Sequence, residues 1–244
     1  MSPTVLKLGG SVITEKDRAE TVDGERLERA AAEIAAADGE LIVVHGGGSF
    51  GHHHAEEHGL TTTAGSHDVA AVLDIHGAMA TLNGFLLRAL VDRGVPAVPV
   101  HPLSAGWRSA DGELSVPTGA VGTLLGEGFV PVLHGDVIAH DGAGVTILSG
   151  DELVVELAVA LEADRVGVCS TVPGVLDGEG RVIERIDSLP AVADVLGGSE
   201  ATDVTGGMAA KVRTLLALDA EASIFGVEEL SAFLDGERPG TTVA

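Results

Sequence analysis

At 244 residues, the chain is long enough to bury a large core, as one α/β unit or as two closely joined lobes. Thirty-seven acidic against 14 basic residues leave a formal net charge of −23, which argues against nucleic acid as a partner: a polyanion is repelled, and no basic patch is present. The acids are spread along the chain, as on the solvated acidic surfaces of cytosolic proteins from salt-loving archaea.

Thr4 to Leu8 reads as a first short strand, ended by Gly9, Gly10 and Ser11. Lys7 lies on it with its head at the glycine turn, and Lys16 follows in the next loop. With Lys211, these are the only lysines in the chain. An ammonium is a compact charge suited to a phosphate, and all three lie beside glycine-rich stretches. The chain enters this strand at once, with no signal pattern, and no apolar stretch reads as long enough to span a bilayer. A cytoplasmic protein without a membrane partner is expected.

Asp23 to Ala37 is an alanine-rich amphipathic helix crossing over to a buried strand, Leu41 to Val44. A right-handed βαβ unit brings the glycines that follow both strands to the same sheet edge. The second set, Gly46, Gly47, Gly48 and Gly51, bends the backbone and lets its N–H groups approach an anion. The histidines that follow, with Ala55 to His58, open a helix whose amino end favours negative charge. Gly46-x-Gly48-x-x-Gly51 also matches a dinucleotide fingerprint. That fingerprint requires a strand leading to an acid near Asp68, and Thr61 to His67 is polar and turn-like. His54 and His58 have a metal-compatible i, i+4 spacing, but without a supporting motif they read as solvated, and no protein-built metal site is expected. His52 follows Gly51 at the loop's mouth, where an imidazole can donate to a phosphate oxygen.

Ser66 to Asp92 reads as a long helix with Val69, Leu73, His76, Met79, Ala80, Asn83 and Leu87 near one stripe, most of it core packing. Met79, Leu82 and Phe85 are placed to line an apolar pocket beside the phosphate site. Val95 to Val100 is a strand, and Ser104 to Pro117 a hairpin or loop. Phe129 to Leu133 is a further strand. Asp136 to His140 and Gly144 to Leu148 form hairpin arms turning at Asp141-Gly142. Ser149-Gly150-Asp151 opens a helix through Leu161; Asp151 either caps it or stands between two lysines. Arg165 to Ser170 is a buried strand ending at the turn 171–177, and its lone Cys169 reads as core filler in a reducing compartment. A short helix falls within 187–199. Thr205-Gly206-Gly207-Met208 leads into a helix bearing Lys211, a further anion site. Ala222 to Phe225 and Thr241 to Val243 supply the last strands. With no repeat or linker, any boundary falls tightly at 160–165, dividing lobes 1–162 and 163–244.

The combination Lys7-Leu-Gly-Gly-Ser11, His45-Gly-Gly-Gly-Ser-Phe-Gly-His52, Ser149-Gly-Asp151 and Asp203-Val-Thr-Gly-Gly-Met-Ala-Ala-Lys211 resembles the amino acid kinase superfamily from first strand to last. Within it, the histidine after Ser-Phe-Gly makes the chain similar to the isopentenyl phosphate kinase family. Fosfomycin-resistance kinases share much of this pattern. The resemblance implies a three-layer αβα sandwich with a mainly parallel central sheet, a homodimer by family habit, and ATP with Mg²⁺ as cofactors in isoprenoid biosynthesis. It implies that Lys7 and Lys211 grip the transferring phosphoryl group, with Lys16 as a third contact and Asp151 organising the lysines. Gly9, Gly10, Ser11, Gly48, Thr171, Gly206 and Gly207 match the nucleotide side. Gly47, Gly51, His52, Gly150, Met79 and Asn83 match the acceptor side, in the N-terminal lobe. The family often reads Thr-Asp-Val-Asp-Gly-Val-Tyr-Asp near the nucleotide, where this chain has Ser170-Thr-Val-Pro-Gly-Val-Leu-Asp177. A small-acid kinase and a non-catalytic nucleotide sensor are the alternative readings.

Overall fold

The computed structural model describes residues 2–192, 207–218 and 220–244. The chain opens with β1 (Thr4–Leu8), α1 (Gly10–Ile13), α2 (Gly24–Ala36), β2 (Leu41–His45), α3 (Gly48–Glu57) and α4 (Val69–Val91). It continues with β3 (Ala97–Pro99), the short pair β4 (Trp107–Arg108) and β5 (Leu114–Ser115), α5 (Thr118–Gly126), β6 (Val130–His134), β7 (Asp136–His140), β8 (Gly144–Leu148) and α6 (Gly150–Ala160). After β9 (Arg165–Ser170) and β10 (Arg185–Ile186) come α7 (Gly207–Leu215), β11 (Ala222–Gly226), α8 (Leu230–Leu234) and β12 (Thr241–Val243).

Among the described residues, eight strands form one sheet in the order β10-β12-β11-β9-β1-β2-β6-β3, parallel except where β11 meets β12. β1 is central, hydrogen-bonded to β2 on one side and β9 on the other. The sheet therefore runs unbroken past residue 162. Period-two alternation divides its faces. Val5, Ile42, Val44, Val166 and Val168 pack with Leu153, Leu157 and Leu215 of α6 and α7. Leu6, Leu8 and Val43 pack with Leu27 and Ile34 of α2, Leu82 and Leu86 of α4, and Phe233 of α8. Helices on both faces of a mainly parallel sheet make the expected αβα sandwich.

A second sheet, β5-β4-β7-β8, stands beside it, with β7 and β8 antiparallel as expected about Asp141-Gly142. Leu60, Ala71, Ile75 and Met79 pack with Val137 and Ile147 there.

Several local expectations change. α3 begins at Gly48 rather than at the histidines, so the glycines form its first turn. No helix was expected at α5, whose three glycines disfavour one; burial of Val121 and Leu125 overrides propensity. α4 is long and apolar enough to cross a membrane by length and composition alone, contrary to the sequence reading; its face through Ile75, Met79, Leu82, Leu86 and Leu90 is buried in the fold. Of the helix expected in 187–199, a 3₁₀ turn at Leu189–Val192 is seen, and the rest lies outside the described residues.

Candidate active site

The carboxyl ends of β1, β2, β6 and β9 open into one crevice of about 720 Å³. In parallel α/β sheets, ligands sit outside such strand ends where neighbouring connections diverge, as they do on either side of β1. All three lysines of the chain line this crevice, together with Gly9, Gly10, Ser11, Gly47, Gly48, Gly51, His52, Gly150, Asp151, Thr171 and Gly207. A smaller cavity of about 240 Å³ lies at the opposite sheet end, where its cation, Arg93, already pairs with Glu28 at 2.6 Å.

The crevice floor is backbone. A Cβ on Gly10 would lie 2.0 Å from the Gly48 nitrogen, so the loops after β1 and β2 touch directly. Gly48 itself has φ +50°, the left-handed region that favours glycine. The amino ends of α1, α3, α6 and α7 all face the crevice, and the first N–H groups of a helix have no partner within it. Thr14 Oγ1 accepts from Ser49 N at 3.1 Å and fastens the first two loops together. Converging amino ends and bare amides favour an anion.

The side chains add charge. Alternation along β1 puts Lys7 on the α6 side of the sheet, where Asp151 sits in the first turn of that helix. Lys7 Nζ lies 2.7 Å from Asp151 Oδ1, and Lys211 Nζ donates to Asp151 Oδ2 at 3.0 Å and Oδ1 at 3.2 Å. Asp151 is not the cap: Ser149 Oγ accepts from Glu152 N, and Glu152 returns the bond to Ser149 N. That capping box leaves the aspartate to the two ammonium groups. Burial alone would raise the Asp151 carboxyl, but Lys7 and then Lys211 outweigh it and hold it well below the usual carboxylate range. Burial pushes Lys7 down to about 8, against the pull of Asp151. Two cations on one carboxylate leave a buried net positive charge poised for a phosphate.

Met79 and Ile75 form an apolar wall of the same crevice. A Cβ on Gly51 would lie 2.7 Å from Met79 Sδ, so the glycine makes room for that side chain. His52 stands next to Gly47, where a Cβ would come within 3.5 Å of its Cδ2.

The sequence model of the amino acid kinase family matches residues 2–224. The chain belongs to this family. It is 63% identical over 245 residues to an isopentenyl phosphate kinase of Haloferax volcanii, covering 100% of this chain and 99% of that one. It is 33% identical over 258 residues to an isopentenyl phosphate kinase of Methanocaldococcus jannaschii, covering 98% of each. Among solved structures, it superposes on an isopentenyl phosphate kinase with a TM-score of 0.78 and 28% identity, over 99% of this chain and 100% of that one.

Not every residue assigned to the site by the family pattern lies there. Asn83 is fully buried beside His45, on the α4 face turned into the sheet, and does not line the crevice. Leu82 shares the buried face of α4 with Met79 but packs into the core away from the crevice, and Phe85, about 120° round the helix from Met79, is exposed; Val69 and Leu73, read as part of the core stripe, are exposed as well. Gly206 lies outside the described residues. His54 and His58 are not simply solvated: His54 Nε2 bonds Glu20 at 2.6 Å, and His58 Nε2 bonds Asp74 at 2.8 Å. No strand lies between α3 and α4, so the dinucleotide fingerprint lacks its acid-bearing strand.

One residue of this family member's crevice carried no functional reading in the sequence. Asp136 is buried at the crevice and accepts from Val137 N and from His76 Nδ1, both at 2.8 Å. The His134-Gly135-Asp136 step, a glycine and an acid directly after a buried strand, was the available signal.

Proposed function

We propose that this protein transfers the γ-phosphoryl group of ATP to isopentenyl phosphate, giving ADP and isopentenyl diphosphate for isoprenoid synthesis. The observation that carries this reading is the single crevice that gathers every lysine of an acidic chain, His52 and an apolar wall. The identity to relatives named for this activity supports it, and so does the wall: a small-acid kinase would place polar groups where Ile75 and Met79 stand.

The acceptor is already an anion, so no strong base is needed to make a nucleophile. The obstacle is bringing two anions into line, which positioning and charge neutralisation overcome. Lys7 and Lys211 neutralise the phosphoryl oxygens, and Asp151 holds both ammonium groups in place. His52 donates to the acceptor phosphate beside Gly47, with Gly51 and Gly150 shaping the space around it. Lys16 contacts the phosphates from the crevice rim. Gly9, Gly10, Ser11, Gly48, Thr171 and Gly207 lie along the ATP side. The acceptor is then held by segment 1–162, and the nucleotide by segment 163–244 together with the loops that follow β1 and β2. Mg²⁺ on the ATP phosphates supplies further neutralisation; Asp151 is taken up by two lysines, so phosphates and water would hold the ion.

A homodimer belongs to the same reading, through the exposed apolar stripe of α4 bearing Val69, Leu73 and Val91; the mass in solution tests it. The buried thiol of Cys169 suits a reducing cytoplasm. The decisive assay incubates the protein with Mg-ATP and a panel of monophosphates and small acids in high salt, measuring ADP. Turnover with isopentenyl phosphate and not with the acids is expected; the reverse, or no acceptor-dependent ADP, would refute the reading.

A further inference from the structure

The rim of the crevice carries a cluster that the phosphoryl-transfer reading leaves unused. His53 and His54 are consecutive on α3 and Glu57 lies one turn on. One ligand atom from each lies within 4.8 Å of the others. The i, i+4 pair suggested by the sequence is not this one, because His58 turns away to Asp74.

The bonding of His54 makes the cluster more than a chance grouping. Its Nε2 lies 2.6 Å from Glu20 Oε1. A carboxylate only accepts, so Nε2 carries the hydrogen, and in the neutral ring Nδ1 is left as a lone-pair acceptor. That Nδ1 is buried and has no hydrogen-bond partner. It faces Glu57 Oε2, another acceptor, at 3.7 Å, with the His53 ring 5.1 Å away, centroid to centroid. A lone pair with a carboxylate and a second imidazole close by is satisfied by a cation. A carboxylate behind the far nitrogen is the usual device that orients a metal-binding histidine.

Glu20 is itself held for this contact. It has φ +47°, a left-handed conformation that non-glycine residues seldom adopt. Its N–H donates to Ser49 O at 3.1 Å, which seats the loop on the first turn of α3.

We propose that His53, His54 and Glu57 bind a divalent transition ion of the Zn²⁺, Co²⁺ or Ni²⁺ class, with Glu20 orienting His54 from behind. Two imidazoles and one carboxylate suit such borderline ions, whereas Mg²⁺ and Ca²⁺ take oxygen ligands. Bonds of about 2.1 Å require the three ligand atoms to draw somewhat closer together. His53 and Glu57 are exposed and free to rotate, while Glu20 keeps His54 in place. His53 also lines the crevice, so the ion would tie the helix of His52 to the loop of Lys16 at its rim.

The competing explanation is an imidazolium at His54 bridging Glu20 and Glu57, which binds no metal. The test uses the full-length protein stripped with a chelator, titrated with Co²⁺ followed by its visible d–d absorption, and with Zn²⁺ by calorimetry in high KCl. Saturation at one ion per chain is expected, undisturbed by excess Mg²⁺. H54A and E57Q should each abolish it, with circular dichroism confirming that both remain folded. E20Q should weaken binding 10- to 100-fold, the usual effect of losing such an orienting group. H58A should leave it unchanged. Absence of saturable binding, or binding that survives H54A through the neighbouring histidines alone, overturns the proposal.

Discussion

The coupling between Asp151 and Lys7 makes a quantitative prediction about pH. Asp151 Oδ1 lies 2.7 Å from Lys7 Nζ. Unit charges at that separation attract by about 1.5 kcal/mol at the dielectric of water and about 6 kcal/mol at an effective dielectric of 20. At 1.36 kcal/mol per pKa unit, even the lower figure is about one unit. Burial already brings Lys7 to about 8, with Asp151 as the main opposing influence. In Asp151→Asn, Lys7 should therefore titrate at about 7 or below. The protonated form is the active one, so activity is lost as pH rises through this value. The free-enzyme titration appears in kcat/KM, whose basic limb should lie near 8 in the parent and at least one unit lower in the variant. Beyond any pH-independent loss, the variant should lose about fivefold more at pH 8 than at pH 6. ADP formation from Mg-ATP and isopentenyl phosphate, measured directly by chromatography across the pH range, checks this. A limb at the same pH in both proteins would refute the idea that Asp151 governs Lys7.

Other substitutions separate the remaining roles. Lys211→Ala should reduce kcat by about 100-fold or more while the thermal transition stays cooperative; near-normal turnover would remove Lys211 from the phosphoryl path. His52→Ala should depress kcat/KM for isopentenyl phosphate by about 10-fold or more with little change in the KM for ATP, and equal losses for both substrates would contradict an acceptor role. Met79→Ala should enlarge the apolar wall and admit longer isoprenyl monophosphates, read as relative kcat/KM along a chain-length series; an unchanged preference would place the tail elsewhere. Burial lowers His45 and His134 each to about 4. A group whose folded pKa is depressed below its unfolded value loses stability as pH falls, here between about 6.5 and 4, by up to about 3 kcal/mol each. Denaturant unfolding of His134→Asn should show a shallower pH dependence over this window, and an unaltered slope would show that the ring is not buried neutral.

How much of this was legible beforehand depended on whether a signal was local. The strands Thr4–Leu8, Arg165–Ser170 and Thr241–Val243 are short apolar or alternating runs bounded by breakers, and they fall where the pattern places them. The meeting of the first two glycine loops followed from the handedness of one βαβ unit. α5 was invisible because its helix depends on tertiary burial of Val121 and Leu125. The errors on α4 have another origin. Met79, Leu82, Asn83 and Phe85 lie within two turns of one helix, yet Met79 reaches the crevice, Leu82 and Asn83 are buried away from it, and Phe85 faces solvent. Asp136 was missed because it becomes a crevice residue only once β6 is placed beside β2.

The charge distribution joins these observations. An excess of 23 negative charges creates a field that opposes phosphate entry, and at high ionic strength mobile ions screen it. The same screening would weaken any exposed cation offered to a phosphate. Lys7 and Lys211 escape this because they are largely buried against Asp151, where salt screens poorly, and their positions are fixed before substrate arrives. Asp151 is then more than a tether. Without it, two ammonium groups would share a desolvated space, and burial would drive at least one of them neutral at working pH. The carboxylate permits both charges to persist, leaving one net positive charge for the phosphoryl group to meet. An arginine at position 7 would stay charged without such help, but its planar fork is too broad for the gap between β1 and the first turn of α6, where a Cβ on Gly150 would already lie 3.0 Å from Lys7 Cε.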